Sequence, residues 1–279
     1  MIGFLNVNKP TGLSSAQVVA RVKRILPKGT KVGHLGTLDP MASGVLPIAV
    51  GRATRLFDLM QNKKKEYLAT FMFGQTTDTL DATGQKTEEC KKIPTKQEVL
   101  YALPQFIGEI NQIPPMYSAK NVNGIRSYKL ARNGEQVELE PCKVKIFSFE
   151  LIEQINETSF KFKIECGSGT YIRSLCRDLA QSLDTVAVMT ELVRTKSGPF
   201  CLEYAQDCGK IDLGKMISVD DALKFDKLTL TDAELKILLD GKKLQLDCKD
   251  GMFLVFNNNM LQGVFTIKNK AVNSKIWLR

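Results

Sequence analysis

The sequence feature that most constrains the fold is the segment of residues 33–44, GHLGTLDPMASG. It holds three glycines and a proline and has neither helical nor strand periodicity, so it cannot be a regular element. Glycines permit positive φ and close approach of another chain, and Pro40 biases Asp39 towards an extended conformation. The segment therefore predicts a rigid loop that holds the carboxylate of Asp39 at a surface. An aspartate that only caps a turn is the alternative.

Regular elements are predicted on both sides of this loop. Before it, Ser14 and Gln17 form a capping box, and apolar residues from Val18 to Leu26 recur at helical spacing. After it, residues 45–50 predict a buried strand, in which Pro47 indicates an edge or a bulge. A helix, an irregular loop and a strand thus follow one another in the first 50 residues.

The rest of the chain mixes both periodicities. Strands are predicted for residues 66–73, 142–152 and 159–166, and helices for residues 54–61, 95–107 and 170–182. We expect the strands at 142–152 and 159–166 to form an antiparallel pair. The fold class predicted is α+β, with a mixed, largely antiparallel central sheet flanked by helices.

Two regions differ from this pattern. Residues 111–141 are loop-rich, basic and aromatic, which predicts an excursion over the surface. From residue 228 the elements become short, with a hairpin predicted across Asn257–Asn259. We therefore expect a main domain of residues 1–227 and a small β-rich domain of residues 228–279.

The positive charge is concentrated near the N-terminus. The chain has a formal net charge of +9, and residues 1–66 hold 11 Lys and Arg against 3 Asp and Glu. Such a field attracts a polyanion, for which nucleic acid is the natural candidate. A solvated basic surface is the alternative on charge alone.

The cysteines and apolar runs narrow the classes of protein. Seven cysteines without a C-x-x-C pair, and a single histidine, exclude zinc-finger spacing and fit free thiols in a reducing compartment. Asn6, Asn8 and Lys9 interrupt the apolar N-terminus, which excludes a signal peptide, and no apolar run reaches about 18 residues. We expect a cytoplasmic protein without a membrane span, a metal or another cofactor.

Six blocks in order carry a resemblance to a known family. The loop at residues 33–44 resembles the GHxGTLDPxAxGVL motif of the TruB family, the tRNA pseudouridine-55 synthases. The other blocks are NKPTGLSS (8–15), KEY (65–67) with GQTTDTLDATG (74–84), QIPPMYSA (112–119), GTYIRSL (169–175) and RTKSGPF (194–200). The resemblance covers residues 1–200, and it implies a pseudouridine synthase fold with a PUA-like C-terminal domain, the latter on a weak match.

The resemblance implies three catalytic residues. Asp39 matches the catalytic aspartate, Tyr67 the tyrosine that stacks on the target base, and Arg173 the arginine that pairs with the aspartate. The residues alone leave other readings open, namely a core tyrosine and an arginine paired with Asp178 or Asp184. An aspartate beside an arginine is expected to have a lowered pKa.

The RNA-binding residues expected from the resemblance and from the basic surface lie in several blocks. They are His34, Tyr171, Lys9, Arg126, Arg132 and Lys64. Lys9, in the first block, is expected to have a structural part in addition.

The function implied is isomerisation of the uridine at position 55 in the TΨC loop of tRNA. The base must flip out, its glycosidic bond break and a carbon–carbon bond form, with no redox step and no cofactor. The partner implied is tRNA, through its TΨC stem-loop and its acceptor end, bound by a monomer without an obligate protein partner. Two alternatives remain: a tRNA-binding or folding factor with little catalysis, and a metal-dependent phosphoryl-transfer enzyme using Asp78 and Asp81, for which the Gly-Lys-Ser/Thr loop is missing.

Overall fold

A computed structural model describes residues 1–61, 63–118, 121–122, 125–126 and 139–279. Its strands are β1 (Gly3–Lys9), β2 (Val32–His34), β3 (Ser43–Val50), β4 (Lys65–Phe73), β5 (Gln75–Thr77), β6 (Lys86–Glu89), β7 (Gly108–Gln112), β8 (Asn121–Val122), β9 (Ile125–Arg126), β10 (Cys142–Gln154), β11 (Ser159–Cys166), β12 (Ala187–Ser197), β13 (Phe200–Cys201), β14 (Gln206–Asp207), β15 (Asp226–Thr229), β16 (Gly251–Asn257), β17 (Met260–Lys268) and β18 (Ala271–Trp277).

The helices flank these strands. They are α1 (Ser15–Arg24), α2 (Phe57–Gln61), α3 (Lys96–Ala102), α4 (Ile172–Ser182), α5 (Val219–Leu223) and α6 (Asp232–Leu239), with 3₁₀ turns at Gly51–Leu56, Leu103–Phe106, Leu202–Tyr204 and Leu213–Lys215. The capping box predicted for α1 is confirmed, because the Ser14 side chain accepts from the backbone N–H of Gln17. The predicted helix at 95–107 is split, as α3 gives way to a 3₁₀ turn at Leu103–Phe106.

A large mixed sheet forms the centre of the described structure. Its strands lie in the order β14-β1-β3-β12-β4-β11-β10-β7, with β13 paired to β12 and β2 to β3. The β1–β14 and β3–β12 pairs are parallel and the other pairs antiparallel. The predicted α+β class, with a largely antiparallel central sheet, is confirmed, and so is the β10–β11 pair.

Pro47 does not place β3 at an edge of the sheet. One side of β3 pairs with β1 along its whole length, and the other side meets β12 at Ser43 and Gly44 and β2 from Ile48. Pro47 lies in the gap between these two partners, where its carbonyl accepts from the N–H of Leu35 at 2.9 Å. The nitrogen and the oxygen of a strand residue point to the same side, so the missing N–H of Pro47 faces this gap and no ladder bond is lost.

The second sheet is built from the C-terminal segment. Its order is β15-β16-β17-β18, and the hairpin of β16 and β17 turns at Asn258 and Asn259, both with positive φ, as expected for that turn. One apolar cluster joins residues of both sheets, including Phe4 and Ala49 with Leu254 and Leu278. Strand β15 spans the boundary expected at residue 228, and the division into two domains stays a prediction.

Candidate active site

The side chain of Arg194 anchors the loop between β2 and β3. This arginine, on β12, is 1% exposed. Its Nε donates to the carbonyl of Val45 at 2.7 Å, Nη2 to Gly36 at 3.0 Å and Nη1 to Thr37 at 3.3 Å. Three donors of one rigid fork thus fix the backbone on both sides of Asp39.

Lys9 and Ser15 hold the same loop from the other side. The Lys9 ammonium donates to the carbonyls of Leu13 at 2.7 Å, Pro10 at 2.9 Å and Pro40 at 3.3 Å. The Ser15 hydroxyl bonds both the N–H and the C=O of Leu38, at 2.9 and 3.0 Å. The loop is therefore set by a clamp of buried polar side chains, as a preorganised site requires.

Gly44 ends the loop at a point where only glycine fits. Its φ is +103°, and a Cβ there would collide with the backbone of Arg194 on the neighbouring strand. The close parallel contact of β3 with β12 at this residue brings Arg194 under the loop. A side chain at position 44 would force the two strands apart.

Asp39 forms a short ion pair with Arg173 in the first turn of α4. Arg173 Nη2 lies 2.9 Å from Asp39 Oδ2, and the guanidinium also donates to the carbonyls of Thr79 and Tyr117, each at 2.9 Å. The pairing expected from the sequence is confirmed. Asp178, the alternative partner, is instead bound by Arg177 at 2.7 Å.

The expected lowering of the Asp39 pKa is wrong in direction. Burial raises the pKa of Asp39 above its ordinary value of 3.8, and the Arg173 guanidinium opposes this without cancelling it. The Asp81 carboxylate adds to the rise. The Asp39 side chain keeps 32% of its surface exposed, so a substrate can reach the carboxyl.

Asp81 is a second carboxylate on Arg173, at 3.5 Å from Nη1. Its Oδ1 accepts from the Thr79 hydroxyl at 2.9 Å and from the N–H of Thr83 at 3.0 Å. Asp78 accepts from the N–H of Gln85 at 2.8 Å. Both aspartates therefore accept from the backbone of nearby turns, and Asp81 in addition faces the arginine of the ion pair.

Tyr67 lies on β4 opposite Arg194 of β12 and is 6% exposed. Burial raises the pKa of its phenol, and the positive charge of Arg194 opposes that rise. The phenol therefore stays protonated at neutral pH. Such a group donates a proton more readily than it removes one.

Lys9 is not an RNA-binding residue, because its side chain is fully buried among three carbonyls. Its structural part is confirmed. Burial lowers the pKa of Lys9 to about 8. Replacement by methionine would leave the three carbonyls without this donor, so we expect Lys9→Met to lower the free energy of unfolding by about 3 kcal/mol. Urea denaturation measures this, and an unchanged midpoint would contradict the clamp.

Lys64, His34 and Tyr171 occupy three different environments. Lys64 is 56% exposed, 3.4 Å from Glu165 and 4.1 Å from the centre of the Phe147 ring, so it can reach a phosphate. His34 on β2 is half-buried, and its Nδ1 is buried without a hydrogen-bond partner among the described residues. Burial lowers the pKa of His34, with Arg194 adding to it, so the ring is neutral.

Tyr171 is the residue before α4, and its backbone is fixed by the side chain of Gln112 at 2.8 and 3.1 Å. This bond sets the start of the helix that carries Arg173. The other two expected contacts are not tested. Arg126 belongs to β9 by its backbone and its side chain lies outside what is described, as does Arg132 entirely.

The sequence reasoning missed Arg194 and the buried Lys65. Arg194 stood in one of the six blocks, but β12 was not predicted as a strand, so nothing placed this side chain under the loop. Lys65 was one of three consecutive lysines, and only its position two residues before Tyr67, on the same strand face, distinguished it.

The described residues contain no cluster of three or more His, Cys, Asp or Glu that could hold a metal ion. None of their helices is long and apolar enough to cross a membrane.

Comparison with known proteins gives the chain clear relatives. Residues 23–172 match the N-terminal domain of the TruB family of pseudouridylate synthases. A tRNA pseudouridine synthase B of Clostridium perfringens is 43% identical over 251 residues, 88% of this chain and 85% of the relative. The protein of that name from Rickettsia akari is 39% identical over 262 residues, 91% and 89% of the two chains.

The fold has a solved neighbour as well. A chain in the crystal structure of a Cbf5-Nop10-Gar1 complex superposes with a TM-score of 0.71 at 25% identity, covering 98% of this chain and 84% of that one. Fold and sequence matches together define the class of protein as the pseudouridylate synthases. Within that class, the chain belongs to the TruB family.

Proposed function

We propose that this protein is a tRNA pseudouridine synthase that isomerises the uridine at position 55 in the TΨC loop. Asp39 carries the proposal, since its partly exposed carboxylate is held by Arg173 at 2.9 Å on a loop whose backbone is fixed by Lys9 and Arg194. Relatives that share 39–43% of their residues with this chain bear the name tRNA pseudouridine synthase B.

The residues have distinct roles in this proposal. The uridine flips out of the loop, at a cost of a few kcal/mol, and its base stacks on Tyr67. The Asp39 carboxylate acts on the ribose or the base, as nucleophile towards C1′ or C6 or as the base that takes the C2′ proton. Arg173 orients this carboxylate and opposes the rise of its pKa, which favours the ionised form.

The RNA partner and the surroundings belong to the same proposal. Exposed lysines such as Lys64, together with the basic N-terminal surface, bind the phosphates of the TΨC stem-loop. In this proposal residues 111–141 contact the RNA, and the C-terminal residues 228–279 contact its acceptor end. In this proposal the protein acts as a monomer in the cytoplasm. Sedimentation of the pure protein with and without tRNA would test the oligomeric state.

The direct test is to treat unmodified tRNA transcript with the pure protein and map pseudouridine along it. We expect one modified site, at position 55, and none in a transcript with cytidine there. Absence of pseudouridine, or its formation elsewhere alone, would overturn the proposal.

Tyr67→Phe tests the part of the phenol. Phenylalanine keeps the ring for stacking and removes the hydroxyl. We expect unchanged RNA affinity and a rate about 100-fold lower under single turnover, since the protonated phenol can donate a proton in the reaction and transfer by a positioned group contributes about 10²–10⁴-fold. Tyr67→Leu, which removes the ring, is expected to weaken the RNA complex as well. A wild-type rate for the phenylalanine variant would remove the hydroxyl from the reaction.

A further inference from the structure

Lys65 is a buried cation that the proposed roles leave unused. It begins β4, two residues before Tyr67 and on the same face, and is 8% exposed. Its ammonium donates to the carbonyl of Gln61 at 3.3 Å. No ion pair with a carboxylate is found for it among the residues that the structure describes.

A second buried cation, Arg194, lies beside it. The two touch the same point of the catalytic loop, because a Cβ built on Gly36 would lie 3.7 Å from Arg194 Nη1 and 3.8 Å from Lys65 Cε. Arg194 bonds three backbone carbonyls, which are dipoles without net charge. Burial first, and then the charge of Arg194, lower the pKa of Lys65 to about 8.

The neighbouring groups do not cancel this charge. Cys166, opposite Lys65 on β11, has its thiol pKa raised to about 11 by burial and is neutral, and the phenol of Tyr67 is neutral too. Glu165 turns to Lys64. Two cations buried without a carboxylate are costly to the fold, and their positive charge beside the loop is suited to negative charge that arrives with the substrate.

We propose that Lys65, together with Arg194, supplies a fixed positive potential beside Tyr67 that stabilises negative charge on the uracil ring when its bond to the ribose breaks. This inference rests on the proposed function. Residues two apart on a strand lie about 7 Å apart along it, so a base stacked on Tyr67 is within reach of the field of Lys65. Charge held in place before the reaction favours the transition state without reorganisation.

The step balances as an isomerisation. The C1′–N1 bond breaks with its electron pair on N1, which leaves a uracil anion whose charge spreads to O2 and O4. The Asp39 carboxylate then attacks the electron-poor C1′ of the ribose, or it takes the proton from C2′. The anion then turns and C5 bonds to C1′, as the bond between Asp39 and C1′ breaks or as the Asp39 carboxyl returns the proton to C2′. Finally C5 loses its proton and N1 gains one. No oxidant or reductant is consumed.

Lys65→Met tests the charge with little change in shape. We expect the single-turnover rate at saturating enzyme to fall about 100-fold with an unchanged dissociation constant for tRNA. Thermal unfolding should show a midpoint no lower than that of the wild type, since an apolar side chain replaces an unpaired buried charge. Lys161→Met, a half-buried lysine further along the sheet on β11, is the matched control and should keep the wild-type rate.

Lys65→Arg and a pH profile separate charge from packing. The wild-type rate should fall as pH rises through about 8, where Lys65 loses its proton. The arginine variant keeps its charge, so it should recover most of the rate and lose this basic limb. Lys9 also has a pKa of about 8, and a limb that stays at pH 8 in the arginine variant would assign it to Lys9 and overturn the inference.

The remaining outcomes are distinct. A rate for Lys65→Met within threefold of the wild type also overturns the inference, and it leaves the proposed function standing. A wild-type protein that forms no pseudouridine at position 55 would instead remove the proposed function on which the inference rests.

Discussion

Asp39→Asn is expected to abolish pseudouridine formation while tRNA still binds. Asparagine keeps the size of the side chain but can neither attack a carbon nor accept a proton, so we expect a loss of about 10⁴-fold or more. Tritium release from tRNA labelled at C5 of uridine measures turnover, and filter binding measures affinity. Full yield by this variant would exclude Asp39 from the chemistry.

The same variant separates an enzyme from a tRNA-binding or folding factor. A factor that only remodels tRNA needs the basic surface and tolerates the loss of Asp39. Refolding of misfolded tRNA that persists in Asp39→Asn would show such a role beside catalysis. Refolding by a wild-type protein that forms no pseudouridine would instead favour the factor over the enzyme we propose.

Stability should change little in Asp39→Asn, for a reason that lies in the raised pKa. A carboxyl whose pKa is higher in the folded state costs stability as pH rises through that pKa. The amide removes this cost, while Arg173 keeps Asp81 and two carbonyls as partners. We expect unfolding midpoints within a few degrees of the wild type, so a loss of activity cannot be attributed to unfolding.

The sequence predicted the residues of the candidate site better than it predicted the residues that hold them in position. Asp39 and Arg173 were paired in advance, because the six blocks carried a resemblance and because a cation in the first turn of a helix favours a carboxylate partner. The loop at 33–44 was identified from composition alone. The α+β class was predicted from helical and strand periodicities, which are local properties of the sequence.

The features of the site that the sequence did not predict depend on contacts between segments that are distant in the chain. The Asp39 pKa moves upwards because of burial, which a list of neighbours in sequence does not contain. Lys9 was expected to bind RNA, but it is fully buried. Nothing in the local sequence around this lysine indicates its burial. Arg194 is 155 residues from Asp39 and meets its loop only because β12 lies beside β3.

Arg173→Met is expected to damage both the chemistry and the fold. Arg173 is 5% exposed and lies between Asp39 and Asp81, so its loss leaves two carboxylates without their cation. Breaking a buried ion pair from one side costs about 3–5 kcal/mol. We expect urea denaturation at pH 7.5 to show a loss of that size, with the rate of pseudouridine formation falling at least as far as in Tyr67→Phe.

The pH dependence of that loss identifies its cause. Without the guanidinium, the pKa of Asp39, already raised by burial, rises further, so the folded state binds more protons than the unfolded state between the two pKa values. Stability of Arg173→Met should therefore be greatest in acid and fall as pH rises through the raised pKa. Arg177→Met, one turn further along α4, removes an arginine whose partner Asp178 lies apart from the Asp39 site, and serves as the matched control. If Arg173→Met lost as much stability at pH 5 as at pH 7.5, lost packing rather than the two unpaired carboxylates would explain the defect. That result would contradict the electrostatic role of Arg173.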